Sequence, residues 1–269
     1  MNAPKKQLGQ HFLTAPSYAQ RIANAVTSAP GEQVVEIGPG RGALSTFLLN
    51  RYPALHLIEV DADVIPVLQQ KLNATTYTLH QASVLDFDFS TIGFPLHVVG
   101  NLPYNIGAMI IKKVLLYGSQ IKSCTFMVQR EVAERIVAQP HTKAMGFLSV
   151  FCQFFGCVQL LFRVPPGAFF PPPKIDSAVF QILVKGNVET ARLPREHWVP
   201  FFKLIDCAFG MRRKILLNPV GRVHTKRVVE QAMVDVEIPL LSRAEDLSVE
   251  QWVLLYKQLY HVADGTSLS

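Results

Sequence analysis

The chain has 269 residues, 49% of them apolar, and a formal net charge of +6 from 26 basic and 20 acidic side chains. This is an ordinary globular composition with enough length for a full core in one large domain plus a small one, or two of similar size. Met1 to Gln10 carries Lys5 and Lys6 without a following apolar h-region, so no secretory signal is expected and the chain reads as cytoplasmic.

The spacing of Ala19, Ile22, Ala23 and Val26 predicts a helix over Pro16 to Ser28. Val34 to Ile37 is a short apolar strand ending in glycines. Gly42 to Asn50 reads as a helix, Ala54 to Val60 as a strand, and Asp61 to Leu72 as a helix kinked by Pro66. Thr75 to His80 is β-prone. A strand at Leu96 to Val99, a helix through Ile106 to Leu116, a strand from Ser123 to Val128 and a helix from Glu131 to Val137 follow. Gly146 to Val164 nearly reaches membrane-spanning length, but Gln153, Gly156 and Gln159 interrupt it and Arg163 nears its end. It reads as a buried helix turning into a buried strand, and no membrane span is expected. The proline-rich loop Pro165 to Pro173 leads to a last strand, Ser177 to Val184. Beyond about Gly186 the pattern changes to helices at Trp198 to Phe209, Thr225 to Met233 and Val249 to Tyr260. Alternating strands and helices predict an α/β fold, a mostly parallel Rossmann-like sheet over residues 1–186, with a small helical domain over 187–269.

The chemistry concentrates first in Asn101-Leu102-Pro103-Tyr104, directly after a strand. The lone pair of an exocyclic base amine is delocalised into its ring, so alkylating it requires that pair to be localised. The Asn101 carbonyl and a backbone carbonyl beside the φ-locked Pro103 can take both amine hydrogens, and Tyr104 can stack on the base. The same residues would also serve as a plain turn with a half-buried aromatic.

Val34 to Ala43 is a strand, a glycine turn and a helix start, readable as Gly-x-Gly-x-x-Ala. Glu59, ending the next strand, stands where an acid binds ribose hydroxyls. These two features suit a nicotinamide dinucleotide as well as S-adenosylmethionine. Glu36, just before the glycines, favours a cofactor with an ammonium and a sulfonium, because it would repel a pyrophosphate. Cys124, Cys152, Cys157 and Cys207 show no Cys-x-x-Cys pair and no histidine partners at metal-ligand spacing. They read as small core hydrophobes in a reducing compartment, with no metal site. A zinc deaminase would need His-x-Glu and Pro-Cys-x-x-Cys, both missing. Between Lys203 and Arg227, the basic residues Arg212, Arg213, Lys214, Arg222, Lys226 and Arg227, with Lys203 itself, face only Asp206. Such a run suits a polyanion or simply a solvated face.

Six segments in order, Lys6 to Leu13, Val35 to Gly42, Ile58 to Asp61, Gly100 to Asn105, Phe169 to Ser177 and Ala208 to Asn218, resemble the KsgA-type small-subunit ribosomal RNA adenine dimethyltransferases. The resemblance runs from about Lys6 to Tyr260. It implies a Rossmann-like methyltransferase domain followed by a small helical RNA-binding domain. It also implies dimethylation, from S-adenosylmethionine, of the 6-amino groups of two adjacent adenines in a small-subunit rRNA loop. The implied partner is the precursor small ribosomal subunit, met by a monomer. By the same resemblance His11 and Leu13 close over the cofactor, Gly38 lies beneath its methionine part, and Glu59 binds its ribose. Asn101 lies beside the transferable methyl, and Tyr104 and Phe169 sandwich the adenine. Where the family has an aspartate for the cofactor adenine, this chain offers Ser83; Asp86 and Asp88 fall outside the matching place. His11 is not assigned as a base, since the alkylated amine can release its proton to water. Competing readings are an erythromycin-resistance-type large-subunit rRNA methyltransferase, which generally has Ile at the place of Leu102, a non-catalytic nucleic-acid-binding factor on the same scaffold, and an oxidoreductase.

Overall fold

The computed structural model describes residues 11–73 and 76–262. The Lys6 to Gln10 part of the first motif and Thr75, expected to open a strand, lie outside them. Contacts divide the chain into two compact units, one of Met1–Ala133 with Cys157–Gly186, the other of Glu134–Gly156 with Asn187–Ser269.

In the first unit, β2 (Gln33–Ile37), β3 (His56–Glu59), β4 (Thr78–Gln81), β5 (Leu96–Asn101) and β6 (Ile121–Gln129) pair in parallel, and β9 (Ser177–Val184) runs antiparallel to β6. With β7 (Gly156–Val164) at one edge, the order is β4-β3-β2-β5-β6-β9-β7. A separate two-stranded ribbon joins β1 (Phe12–Leu13) to β8 (Phe169–Phe170), with Phe12 opposite Phe170 and Leu13 opposite Phe169. The central parallel strands are nearly continuous in buried apolar residues, as strands covered on both faces must be. Ile22 of α1 (Pro16–Ala25), Leu48 of α2 (Ser45–Leu49) and Leu68 of α3 (Ile65–Leu72) form one core with Val34, Leu57, Val99 and Met127 of the sheet. Each such buried aliphatic contributes about 1.5–3 kcal/mol. α4 (Gly107–Leu115) buries Ile110, Ile111, Val114 and Leu115.

The second unit is helical, and an aromatic cluster holds it. α5 (Arg130–Ile136) leads the chain into it, and α6 (Phe147–Phe155) presents Phe151 and Phe154 to Phe202 of α8 (Trp198–Phe209), at ring-centroid distances of 4.4 and 5.2 Å. Trp198 meets Phe155 edge-on at 5.1 Å, a geometry favoured by the ring quadrupoles. α7 (Val188–Ala191), α9 (Leu217–Val220), α10 (Lys226–Asp235) and α11 (Val249–Tyr260) complete the unit. Ser248 starts α11 with a capping box, its hydroxyl accepting from the Gln251 amide at 3.2 Å while the Gln251 side chain accepts from the Ser248 amide at 3.0 Å.

Four sequence expectations change. The segment Glu134–Gly156 groups with the helical unit, so the first compact unit is not a continuous 1–186 stretch. Pro66 does not kink a helix but sits in the first turn of α3, where its missing amide has no intrahelical acceptor to lose. α2 starts only at Ser45, because the backbone is still in the left-handed region at Gly42. β7 is not buried: it is an edge strand, seven of its nine residues are exposed or partly so, and Cys157 on it is exposed while Cys207 is half-buried. Only Cys124 and Cys152 are the core residues expected.

Candidate active site

The carboxyl ends of β2, β3 and β5 open onto a cavity of about 300 Å³ whose walls include Glu36, Gly38, Glu59, Ser83, Asn101 and Tyr104. Ligand sites of open α/β sheets form at this end of the strands. Gly38, Gly40 and Gly42 have φ of +66°, +51° and +73°, which L side chains adopt only under strain, so the turn after β2 requires glycine. A Cβ at Gly40 would lie 3.1 Å from the Phe12 ring, and one at Gly100 would lie 2.5 Å from the Ile37 carbonyl oxygen. Gly100 therefore lets β5 lie close against β2 and deliver Asn101 to the cavity.

The two acids of the cavity are held differently. Glu59 accepts from the Gly40 amide at 3.0 Å and the Asp61 amide at 2.8 Å, which locks the glycine turn to the end of β3. Burial raises its pKa, and these backbone amides offset part of the effect. Glu36 is 2% exposed, and its Oε2 has no hydrogen-bond partner. Burial pushes it up to about 8, against the opposing influence of the Ser45 hydroxyl and with the Glu59 carboxylate adding to the rise. A buried carboxylate oxygen without a donor, in a cavity wall, is suited to a cation.

Asn101 donates from Nδ2 to the His11 carbonyl at 3.0 Å, which leaves Oδ1 as its acceptor. Leu102 is buried and its amide donates to the Met127 carbonyl at 3.0 Å, so this residue anchors the segment to β6. The Pro103 carbonyl closes the next turn by accepting from the Ile106 amide at 3.2 Å. The Tyr104 hydroxyl lies 2.6 Å from the Ser177 hydroxyl, and its ring stacks on His11 at 5.4 Å and 26°. Burial holds the phenol above the ordinary tyrosine pKa. His11 in turn donates from Nδ1 to the Pro171 carbonyl at 2.8 Å.

His11, Leu13, Gly38, Glu59, Ser83, Asn101, Leu102, Pro103 and Tyr104 are thus gathered around one cavity. Phe169 is not. It is 4% exposed, packed in the core with Leu13 and not among the residues that line the cavity, whereas Phe170 is 56% exposed. Ser83 lines the cavity, and its carbonyl accepts the Asp86 and Phe87 amides at 3.1 and 3.0 Å, a turn that carries Asp86 and Asp88 out of the lining. In the helical unit, Arg213, Lys214, Arg222, Lys226 and Arg227 are exposed. Arg212 is tied down, donating to Glu245 and to the carbonyls of Lys143 and Met145, each at 2.8 Å. Sequence reasoning missed the Ser177 partner of Tyr104 and the stacked His11, because neither has a spacing signal. Among the described residues, no group of three or more His, Cys, Asp or Glu side chains could hold a metal ion, and no helix is long and apolar enough to cross a membrane.

The strand order, the glycine turn and the cavity at the strand ends match the class I methyltransferase fold. A dimethyladenosine transferase from Plasmodium falciparum shares the fold with a TM-score of 0.79 at 20% identity, over 91% of this chain and 96% of that one. The 23S rRNA methyltransferase ErmE shares it at 0.70 and 23% identity, over 93% and 99%. The ribosomal RNA adenine dimethylase family model matches residues 1–261, and the chain belongs to that family. Ribosomal RNA small subunit methyltransferase A of Thiobacillus denitrificans is 42% identical over 221 residues, 82% of this chain and 86% of the relative. That of Chromobacterium violaceum is 38% identical over 259 residues, 96% of both chains. The chain is therefore a methyltransferase enzyme acting on ribosomal RNA adenine.

Proposed function

We propose that the chain uses S-adenosylmethionine to dimethylate the 6-amino groups of two adjacent adenines in a small-subunit rRNA loop, acting on the precursor small subunit during ribosome biogenesis. The observation that carries this reading is that one cavity is lined both by Asn101 to Tyr104 and by Glu36, Gly38 and Glu59. The partnerless Oε2 of Glu36 fits an ammonium group, whose arrival favours the ionised carboxylate. The glycine turn admits a ligand close to the backbone at Gly38, and Glu59 stands at the strand end where ribose hydroxyls are met. When bound, the cofactor supplies a methyl group on a sulfonium, open to attack by a nitrogen lone pair.

The protein's own part is positioning. In the first transfer Asn101 Oδ1 and the Leu102 carbonyl accept the two amine hydrogens and turn the lone pair outward; in the second, one of them accepts the single hydrogen left. The Asn101 amide is held for this by its bond to the His11 carbonyl. Tyr104 offers a face for the base. In each of the two transfers the alkylated nitrogen becomes acidic and loses one proton to water, so no side chain is required as a base; His11 already spends Nδ1 on Pro171. The exposed cations Arg213, Lys214, Arg222, Lys226 and Arg227 are the surface assigned to rRNA phosphates.

The test incubates purified protein and S-adenosylmethionine with small subunits lacking the modification, followed by mass spectrometry of the rRNA. Two neighbouring dimethyladenines are expected. Unmodified adenines, or binding of NAD in preference to S-adenosylmethionine by calorimetry, would overturn the proposal.

A further inference from the structure

Tyr104 lies in a short segment beyond β5, and a ring there has two side-chain torsions to fix before it can serve as a stacking platform. Its hydroxyl is tethered across the sheet. Ser177 opens β9, is fully buried, and lies 2.6 Å from the Tyr104 hydroxyl. The base of that tether is rigid. Ser177 is register-paired with Gln129 of β6, and the preceding Asp176 accepts the Arg130 amide at 2.9 Å while its carboxylate meets Arg130 Nη1 at 3.1 Å. Leu102, two residues before Tyr104, is fixed to the same strand β6 through Met127. Both ends of the Tyr104–Ser177 bond therefore rest on the β6–β9 pair. The His11 ring holds the tyrosine as well, but by stacking, a contact a phenylalanine would keep.

We propose that Ser177 is a positioning residue for methyl transfer, whose hydroxyl locks the Tyr104 ring in the plane on which the target adenine stacks. This rests on the reading that Tyr104 stacks on that base. Burial raises the pKa of the phenol, which favours the protonated hydroxyl that the tether uses. A side chain that acts only by setting another's angle should alter the transfer step and leave cofactor binding alone.

The test uses full-length protein with an rRNA hairpin, either natural or carrying 2-aminopurine in place of the target adenine. Ser177→Ala and Tyr104→Phe should each slow single-turnover transfer about three- to tenfold, the range of one lost hydrogen bond. The double variant should be no slower than either single, and Ser177→Thr, which keeps the hydroxyl, should recover most of the rate. Calorimetric affinity for S-adenosylmethionine should not move. In Ser177→Ala the bound 2-aminopurine should be less quenched than in wild type. Wild-type transfer in both single variants, or additive losses in the double, would overturn the tether. Because Tyr104→Phe removes no buried volume at Ser177, a folding failure of Ser177→Ala leaves that arm decisive. Tyr104→Ala separates the two ideas. If it leaves the 2-aminopurine quenching intact, the stacking reading itself falls; if quenching is lost there while Ser177→Ala and Tyr104→Phe transfer normally, only the tether falls.

Discussion

Glu36→Gln should make the protein more stable and its cofactor site weaker at once. The glutamine keeps the shape of the buried side chain and removes its ability to ionise. With its pKa raised to about 8, the Glu36 carboxyl is mostly protonated in the folded protein at neutral pH, whereas in the unfolded chain it is ionised. The stability linked to this group is fully present below the unfolded value of 4.5 and is lost as pH rises to about 8. At about 1.4 kcal/mol per pH unit, the penalty carried at pH 7 is about 3 kcal/mol. Melting curves at pH 5 and pH 7.5 should show little difference between the two proteins at the lower pH and a higher Tm for Glu36→Gln at the upper. Glu59 is raised in both proteins and cancels in the comparison.

Ligand binding should run the other way. A hydrogen bond to a charged group contributes about 1.5–3 kcal/mol, so losing it weakens S-adenosylmethionine binding about 10- to 150-fold. The loss should be smaller at pH 7 than at pH 8, because the wild-type carboxyl must first give up a proton when the ammonium arrives. Calorimetry in buffers of different ionisation enthalpy should record a release approaching one proton for wild type at pH 7 and a smaller one for Glu36→Gln. Equal affinity together with equal Tm at pH 7.5 would refute the assignment of Glu36 to a cationic ligand.

Asn101→Ala should keep cofactor affinity within about tenfold, about 1.4 kcal/mol, while single-turnover transfer falls by about two orders of magnitude or more, since its acceptor serves the reacting amine; near-normal transfer would remove Asn101 from the mechanism. Reversing Arg213 and Lys214 to glutamate should weaken binding to small ribosomal subunits and flatten its salt dependence without touching cofactor affinity. An unchanged salt slope would leave that surface a solvated face. Arg212 is left out of this test, because its three contacts tie together residues of its own unit and its loss would change local structure as well as charge. Ser83→Asp should tighten S-adenosylmethionine binding severalfold by replacing a neutral hydroxyl with a charged acceptor in the cavity wall; unchanged or weaker binding by calorimetry would mean another group serves the adenine.

The sheet was legible because its strands carry local signals. Val34 to Ile37, Leu96 to Val99 and Ser177 to Val184 are apolar runs bounded by glycine or polar turns, and all three are strands. The glycine turn and Asn101 to Tyr104 were legible too, since each motif is contiguous. What failed depended on partners distant in sequence. The apolar run Phe147 to Phe155 reads the same whether it packs on a sheet or on other helices, and only the complementary rings of Phe201, Phe202 and Trp198 decide that it joins the helical unit. β7 has the composition of a buried strand, and its exposure follows from its place at the end of the strand order, which composition does not encode.

Phe169 shows how fine that limit is. Phe169 and Phe170 are chemically identical neighbours, and successive side chains on a strand point to opposite faces. Pairing Leu13 with Phe169 puts Phe169 into the core and leaves Phe170 exposed; a shift of one residue would exchange them. That register is set by the Thr14 amide and hydroxyl, which both donate to the Ala168 carbonyl at 2.8 and 3.1 Å, and by His11 reaching Pro171. The same short ribbon carries the His11 carbonyl that orients Asn101 and the His11 ring that stacks on Tyr104. Residues at opposite ends of the first unit's sequence thus set the geometry of the Asn-Leu-Pro-Tyr segment, which names the chemistry in the sequence but acquires its angles from the fold.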